Sequence, residues 1–180
     1  MLIEDLLTIS ELESGRVKLN LQAVALSPVV AKVFEDFKTR AEAKSVKLIN
    51  QAADLAVRAD ADRLEQVLGN LIDNAIKYGR TKGTVTVGGS ARNDGQVEVF
   101  VQDDGPGIPP EALERVFERF YRVDKARSRE QGGTGLGLAI VKHIVQTHGG
   151  KVWATSELGH GTTFYFSLAQ GTGTLQQPLL

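Results

Sequence analysis

The sequence predicts an α+β fold, in which a mixed sheet carries helices on one face. Three observations lead to this prediction. Helix-type and strand-type patterns alternate along the chain, but without the regular rhythm of repeated βαβ units. Two runs of alternating apolar and polar residues, 84–92 and 96–101, flank the turn sequence Asn93-Asp94-Gly95 and predict a β-hairpin. In the segment 60–78, apolar residues recur at three- and four-residue spacing, which predicts an amphipathic helix.

Capping residues mark the ends of most of the five helices that the sequence predicts. Ser27 is an N-cap type of residue, and Pro28 follows it at the first helical position. Asp60 caps the third helix, Pro109-Pro110 opens the fourth, and Gly149-Gly150 ends the fifth. The predicted helices are 1–13, 28–44, 60–78, 110–119 and 136–148.

The other regular segments alternate apolar and polar residues or are short apolar runs, as strands do. The predicted strands are 17–21, 46–50, 56–59, 84–92, 96–101, 151–156 and 162–168. Residues 121–134 are polar and contain glycine without any periodicity, which indicates a mobile loop. The segment 170–180 is low in complexity and is expected to be disordered.

Composition excludes several classes of function. The 180 residues are enough for one domain, and 42% hydrophobic with 24% charged residues is ordinary for a globular protein. A net charge of −1 gives no broad footprint for nucleic acid or anionic membranes. The absence of cysteine excludes disulfides, thiolate metal sites and cysteine nucleophiles. No apolar run reaches membrane-spanning length, and the N-terminus is acidic where a signal peptide is basic, so we expect a cytoplasmic location.

A polar stripe lies opposite the apolar face of the predicted helix 60–78. It consists of Asn70, Asp73, Asn74 and Lys77, which fall within a sector of roughly 100°. A solvated face is the simple interpretation, but such faces more often use Glu, Lys and Gln, because Asn is a poor helix former. Amide oxygens beside a lysine suit a hydrated Mg²⁺ with a polyphosphate.

Three glycine-rich segments fit the same kind of ligand. Asp103 ends a strand and precedes Gly-x-Gly, so its carboxylate could accept a base amine, although an ordinary turn has this composition too. The glycines of 132–139 lead into a helix, whose free N–H groups suit phosphate. This segment lacks the preceding strand of a Rossmann site and the Gly-Lys-Ser/Thr of a Walker A loop. The segment 159–164 is equally compatible with a plain hairpin turn.

Together and in this order, these segments resemble the ATP-binding catalytic domain of bacterial sensor histidine kinases. That family belongs to the Bergerat-fold superfamily, which includes DNA gyrase, a heat-shock chaperone and mismatch-repair ATPases. NLIDNAIKYG (70–79) is similar to the N box, DDGPGIP (103–109) to the first glycine box, VFERFYRVD (116–124) to the F box, GGTGLGLAIVKHIV (132–145) to the second glycine box and GHGTTF (159–164) to the third. The resemblance covers 17–168. It implies a two-layer α/β sandwich with a mixed, mostly antiparallel sheet and an ATP lid over roughly 108–134.

The resemblance also implies roles for individual residues in binding ATP and Mg²⁺. Asp103 is the implied adenine anchor, and Asn74 is the implied Mg²⁺ ligand, with Asn70 as a possible second one. The implied catalytic residues are Asn70, Lys77 and Arg122, of which the two cations contact phosphate. The implied nucleotide-binding residues are Asn70, Asn74, Lys77, Tyr78, Asp103, Gly105, Gly107, Ile108, Phe120, Arg122, Gly133, Thr134, Gly135, Leu136, Gly137, Leu138 and Thr162.

Aromatic residues and glycines have implied supporting roles. Tyr78 would stack near the adenine, and Phe117 and Phe120 would dock the lid onto the core. The glycines implied to hold the lid are Gly105, Gly107, Gly135 and Gly137.

Asn70 bears on the type of reaction. In the ATPase branches of the superfamily, a Glu four residues before the metal-binding Asn polarises the attacking water. Here that position is Asn70, and a neutral amide is a poor general base. The resemblance therefore favours phosphoryl transfer to a protein histidine over ATP hydrolysis. A regulatory nucleotide-binding module is the alternative, and an anti-sigma-type serine kinase on the same fold fits less well.

The phosphoacceptor motif of a complete sensor kinase is missing from the sequence. His143 and His148 lie in the last predicted helix and His160 lies in a glycine turn, none in the expected context. Residues 1–15 resemble the end of the second helix of a dimerisation hairpin. We therefore expect 1–15 to be this helix end and linker, 16–169 the catalytic domain and 170–180 the tail. The implied partners are the phosphoacceptor hairpin and then a response regulator, and the chain itself is expected to be a monomer or weak dimer. With a sensor attached, it would be the cytoplasmic end of a membrane-bound kinase.

Overall fold

The computed structural model describes residues 2–15, 17–124 and 132–171. Five helices and seven strands follow one another along these ranges. The helices are α1 (Leu2–Glu13), α2 (Leu26–Ala43), α3 (Ala61–Tyr78), α4 (Pro110–Leu113) and α5 (Gly137–Thr147). The strands are β1 (Gln22–Ala25), β2 (Lys47–Gln51), β3 (Ala56–Ala59), β4 (Thr84–Ala91), β5 (Gln96–Asp103), β6 (Val152–Glu157) and β7 (Gly161–Ala169).

A five-stranded sheet in the order β2-β4-β5-β7-β6 forms one layer of the molecule. Strand β2 pairs with β4 in parallel, and all other pairs of this sheet are antiparallel. The smaller sheet consists of β1 and β3, which are antiparallel. This arrangement confirms the α+β prediction of a mixed, mostly antiparallel sheet.

Helix α3 packs between α2 and α5, and these three helices cover one face of the sheet and enclose the core with it. Alternate residues of β5 and β7 point into this core, as the two-residue period of a strand requires. The largest of the fully buried side chains are Phe166, Leu26, Leu64, Leu68, Leu71, Ile72, Leu136, Ile140 and Ile144. The seven buried residues of α3 all lie on the apolar face predicted from the sequence.

Local capping explains where α3 begins. The Asp60 side chain accepts a hydrogen bond from the Arg63 N–H at 3.2 Å, so Asp60 is the predicted N-cap. Its other carboxylate oxygen accepts from the Asn20 N–H at 3.0 Å, which fixes the preceding chain to the helix start. His148 connects the end of α5 to the same point, because the Asp60 N–H donates to its Nε2 at 3.1 Å.

Three predicted boundaries are wrong. Residues 17–21 alternate like a strand, but the strand is Gln22–Ala25, where β3 provides the pairing partner. Helix α2 begins at Leu26, and Ser27 is inside it. The Ser27 hydroxyl instead accepts from Asn50 Nδ2 at 3.2 Å. Helix α4 has one turn, of which Ala112 is the buried residue, and it is followed by turns up to residue 120 instead of continuing to 119.

Some sequence predictions fall outside the described residues. These are the central part of the predicted mobile loop, 125–131, and most of the predicted disordered tail, 172–180. Among the described residues, no helix combines the length and apolar character that crossing a bilayer requires.

Candidate nucleotide-binding site

The polar stripe of α3 forms one wall of a cavity of about 270 Å³. Asn70, Asp73, Asn74 and Lys77 all line it. The opposite face of α3 is buried in the core, so packing fixes the helix and directs the stripe into the cavity. The simple interpretation as a solvated face therefore does not hold for these side chains.

Asp73, to which the sequence assigned no role, lies between two cations. Its Oδ2 is 2.6 Å from Lys77 Nζ one turn further along α3, and its Oδ1 is 2.8 Å from Arg40 Nη1 on α2. The Asp73 and Lys77 side chains are only 22% and 21% exposed, so this pair is less screened by water than a surface ion pair. Asp73 thus holds the Lys77 ammonium in the cavity wall and ties α2 to the site.

Asp103 lies at the other end of the cavity, where β5 ends. Asp103 and Thr162 are the buried polar side chains among the described residues. Asp103 Oδ1 accepts from the Gly105 N–H at 2.8 Å, and the carboxylate also accepts from the Thr162 N–H. Burial raises the pKa of Asp103 above its ordinary value, and these two hydrogen bonds offset the rise only in part.

The neighbouring Asp104 has a different role. Both of its carboxylate oxygens accept from the Thr84 N–H at 3.0 Å, and Asp104 does not line the cavity. It fixes the end of β5 to the start of β4. Of the two adjacent carboxylates, therefore, Asp103 is the one that faces the cavity.

Glycine is required where the first glycine-rich segment crosses the β6–β7 turn. Gly107 has φ +79°, and a Cβ there would lie 2.4 Å from the carbonyl oxygen of Glu157. Gly105 is confined to a lesser degree, since its Cβ would lie 2.8 Å from the side-chain atom Asp103 Oδ1. No larger residue fits at Gly107 without moving backbone.

Residues of the segment 132–137 line the cavity at the start of α5. The Arg122 guanidinium donates to the carbonyl oxygen of Gly133, and Asn70 Nδ2 donates to that of Gly137 at 3.3 Å. The Thr134 hydroxyl donates to the Asp5 carboxylate of α1 at 2.8 Å. Side chains from α1 and α3 and the chain after α4 thus hold this glycine-rich segment against the cavity.

Most of the residues predicted from the sequence line this one cavity. They are Asn70, Asn74, Lys77, Tyr78, Asp103, Gly107, Ile108, Arg122, Gly133, Thr134, Gly135, Gly137, Leu138 and Thr162. Gly105, Phe120 and Leu136 do not line it. Gly105 packs beneath Asp103 and Tyr78, and Leu136 is fully buried in the core.

The two aromatic residues of the F box differ in position. Phe117 is partly buried against the core and meets the Phe164 ring edge-on, with ring centroids 6.0 Å apart. The Phe120 side chain is 60% exposed, which is contrary to the prediction that it docks the lid. Its backbone has φ +60°, and its N–H donates to the Gly135 carbonyl at 2.8 Å, so it is the main chain that makes the connection.

Asp5 is a cavity residue that no pattern in the sequence predicts. It lines the cavity although it lies on α1, 129 residues before its partner Thr134. Two ion pairs support α1 in this position, Glu13 with Arg119 and Glu11 with Arg63. No local pattern in the first fifteen residues indicates such a contact, because it depends on the tertiary packing of α1 on α5.

Comparisons with known proteins agree with this geometry. Residues 59–172 match the family described as histidine kinase-, DNA gyrase B-, and HSP90-like ATPase. The chain is 42% identical over 170 residues to the sensor histidine kinase WalK of Bacillus subtilis (strain 168), which covers 93% of this chain and 28% of WalK. The crystal structure of full-length ShkA in complex with AMPPNP aligns with a TM-score of 0.83 and 33% identity, over 96% of this chain and 36% of ShkA. The histidine kinase ThkA in complex with the response regulator TrrA aligns with a TM-score of 0.72 and 26% identity, over 92% and 47% of the two chains.

The chain therefore belongs to the family of histidine kinase-, DNA gyrase B- and HSP90-like ATPases. Within it, the chain is an ATP-binding domain of the sensor histidine kinase type, because it matches part of sensor histidine kinases in sequence and histidine kinases in structure. The resemblance inferred from the sequence motifs is thereby confirmed. The chain spans less than half the length of the curated relatives it matches.

Proposed function

We propose that this chain binds ATP together with Mg²⁺ and transfers the γ-phosphoryl group to a histidine on a dimerisation hairpin, in two-component signal transduction. The observation that carries the proposal is the cavity itself. A buried acceptor, Asp103, lies at one end, and Asn70, Asn74 and Lys77 lie together with Arg122 in the remaining wall. This arrangement suits a ligand with an amine at one end and a polyphosphate at the other.

The base end supports adenine. Asp103 is buried, and its hydrogen-bond partners, the N–H groups of Gly105 and Thr162, are backbone donors. Neither of these hydrogen-bond partners is a cationic side chain. The carboxylate can therefore accept a further hydrogen bond from an exocyclic amine. Tyr78 and Ile108 line the same cavity and provide apolar surface for the ring.

The charges at the cavity support a requirement for Mg²⁺. Among the described lining residues, Lys77 and Arg122 are cationic, and four are carboxylates, Asp5, Asp73, Asp103 and Asp124. A polyphosphate would add further negative charge to a wall that is already acidic, so a divalent cation is needed for neutrality. Asn74 and Asn70 would hold Mg²⁺ through their amide oxygens, in keeping with the few protein ligands that Mg²⁺ takes in nucleotide sites. Bound there, Mg²⁺ would neutralise charge on the phosphate oxygens.

The reaction assigned to the site is transfer rather than hydrolysis. The bond from the γ-phosphorus to the bridging oxygen breaks, a bond from that phosphorus to an imidazole nitrogen forms, and ADP leaves. Asn70 occupies the position from which a carboxylate would activate water, and its amide donates to Gly137 instead. Lys77 and Arg122 would orient the phosphates and stabilise the negative charge on the transferred group.

The proposed partners are the phosphoacceptor hairpin and then a response regulator. The ThkA–TrrA complex supports this proposal, because a kinase of the same fold is bound there to a response regulator. Helix α1, which resembles the end of a hairpin helix, would join the catalytic domain to the hairpin.

The test is a transfer assay with the chain as it is. The chain is mixed with a separately produced dimerisation hairpin, Mg²⁺ and ATP labelled at the γ-phosphate. We expect acid-labile label on the hairpin histidine and none on a hairpin in which that histidine is replaced. Tight nucleotide binding without any label on the hairpin would refute the kinase proposal and favour the regulatory nucleotide-binding module.

A further inference from the structure

Ser156, on β6, joins two of the glycine-rich segments through one hydroxyl group. Its Oγ accepts from the Ile108 N–H at 2.8 Å and donates to the carbonyl oxygen of Gly161 at 2.8 Å. It also lies 2.9 Å from Thr162 Oγ1. Ile108 belongs to the first glycine-rich segment, whereas Gly161 and Thr162 begin β7, so Ser156 connects both sides of the base end of the cavity.

Counting hydrogen atoms settles the direction of the bond between the two hydroxyls. A serine hydroxyl has one hydrogen and two acceptor positions. The Gly161 carbonyl can only accept, so it takes the single hydrogen of Ser156, and the Ile108 N–H occupies one acceptor position. The remaining position must accept, and therefore Thr162 Oγ1 is the donor in its contact with Ser156.

The bond that Thr162 donates limits what Thr162 can offer a ligand. The one hydrogen of the Thr162 hydroxyl points to Ser156. Thr162 also lines the cavity, and towards a ligand there its hydroxyl can act only as an acceptor. Asp103, paired with Thr162 in the sheet register, is an acceptor as well. The base end of the cavity therefore presents two buried acceptors, which match the amino group at position 6 of adenine and oppose the carbonyl at position 6 of hypoxanthine or guanine.

We propose that Ser156 is a positioning residue that fixes the hydroxyl of Thr162 as an acceptor and so contributes to selecting adenine over 6-oxopurines. This inference rests on the proposed binding of ATP and deepens it. A polar site rejects the wrong partner strongly when its groups are buried and cannot reorient. Without Ser156, the Thr162 hydroxyl is free to rotate and to donate to a 6-carbonyl.

The test compares ADP with inosine diphosphate, in which a carbonyl replaces the 6-amino group. Dissociation constants are measured by calorimetry without Mg²⁺, so that the base dominates the difference. Wild type is expected to prefer ADP. In Ser156→Ala the ratio of the two constants should fall by about tenfold, the scale of one buried hydrogen bond. Ser156→Thr keeps the hydroxyl and should restore the ratio.

Ser167→Ala is the matched control. Ser167, on the neighbouring strand β7, has a hydroxyl that accepts from the Lys151 N–H at 3.2 Å and does not line the cavity. Its substitution should leave the ratio unchanged. If Ser156→Ala weakens both nucleotides by the same factor, or leaves the ratio at the wild-type value, the role of Ser156 is structural and the inference is wrong.

Thr162→Val provides a second measurement that does not depend on Ser156→Ala folding. It should lower the ratio through weaker ADP binding, and an unchanged ratio would show that Thr162 does not read the base. Failure of wild type to bind ADP would refute the proposed function. Wild type that binds both nucleotides equally would leave ATP binding intact and refute only this inference.

Discussion

Replacing Asp103 by Asn tests the base end of the site most directly. The change leaves Oδ1, which can still accept from Gly105, and replaces the other oxygen by an NH₂ group. The site then loses one acceptor and the negative charge that would strengthen a bond from the adenine amine. Loss of a buried charged acceptor costs about 1–3 kcal/mol. We therefore expect the dissociation constant of ADP to rise by about 5- to 150-fold.

The assay is a calorimetric titration of wild type and Asp103→Asn with ADP and with adenosine. Both ligands should weaken by a similar factor, because they share the base. Asp104→Asn is the matched control, since Asp104 bonds to Thr84 outside the cavity; it should lower stability slightly and leave the affinity unchanged. An unchanged ADP affinity in Asp103→Asn would remove Asp103 from the base site and refute the reasoning.

The pH dependence of stability gives an independent check on the same carboxylate. Burial raises the pKa of Asp103 in the folded protein above its ordinary 3.8. A raised folded pKa favours the folded state below 3.8, and this contribution is lost as pH rises through the folded value. We therefore compare the free energies of unfolding of wild type and Asp103→Asn. The wild-type value minus the variant value should fall as pH rises from 3.8 through the raised pKa of Asp103, and then level off. Denaturant unfolding at a series of pH values measures it, and a difference that rises with pH would contradict the assigned burial.

The remaining predictions concern the metal, the charge at the cavity and the backbone. Asn74→Ala should abolish the tightening of ADP binding by Mg²⁺ and leave adenosine binding nearly unchanged, which titrations with and without Mg²⁺ will show; persistent tightening would exclude Asn74 as a ligand. Asp5→Asn removes a carboxylate from the cavity and should strengthen ADP binding by about fivefold, roughly 1 kcal/mol of relieved repulsion, without affecting adenosine. Gly107→Ala should lower the free energy of unfolding by clearly more than the ~1–2 kcal/mol that a left-handed backbone costs, because its Cβ would meet the Glu157 carbonyl. The control is Gly95→Ala, where φ is +77° and the space is open, and denaturant unfolding should show a loss of only that ~1–2 kcal/mol.

The predictions from sequence succeeded where local signals and tertiary structure agree. Helix α3 carries a capping residue, an apolar face and a polar stripe, and all three appear in the structure. The hairpin of β4 and β5 was fixed by its turn sequence. The strand predicted at 17–21 failed because its alternation is as good as that of β1, and only pairing with β3 decides between them.

Parts of the site could not be predicted because distant partners define them. Asp73 has no evident role in the sequence, and its partner Arg40 lies on a different helix. Asp5 reaches the cavity only because α1 packs on α5. Ser27 looked like a helix cap, but the side chain of Asn50 provides another partner for its hydroxyl. Each of these contacts joins residues more than twenty positions apart, beyond the reach of local patterns.

The charges of the side chains that line the cavity explain why the polar stripe of α3 has asparagine where a metal site could have aspartate. Among the lining residues that the structure describes, four are carboxylates and two, Lys77 and Arg122, are cations; the carboxylate of Asp73 is paired with Lys77. Carboxylates at 70 and 74 would bind Mg²⁺ without nucleotide and would repel the phosphates once it left. Amides supply oxygen ligands without charge, so on the proposed function the cation is held well only when the phosphates complete its shell. Mg²⁺ and nucleotide are then bound together, and each is bound weakly alone.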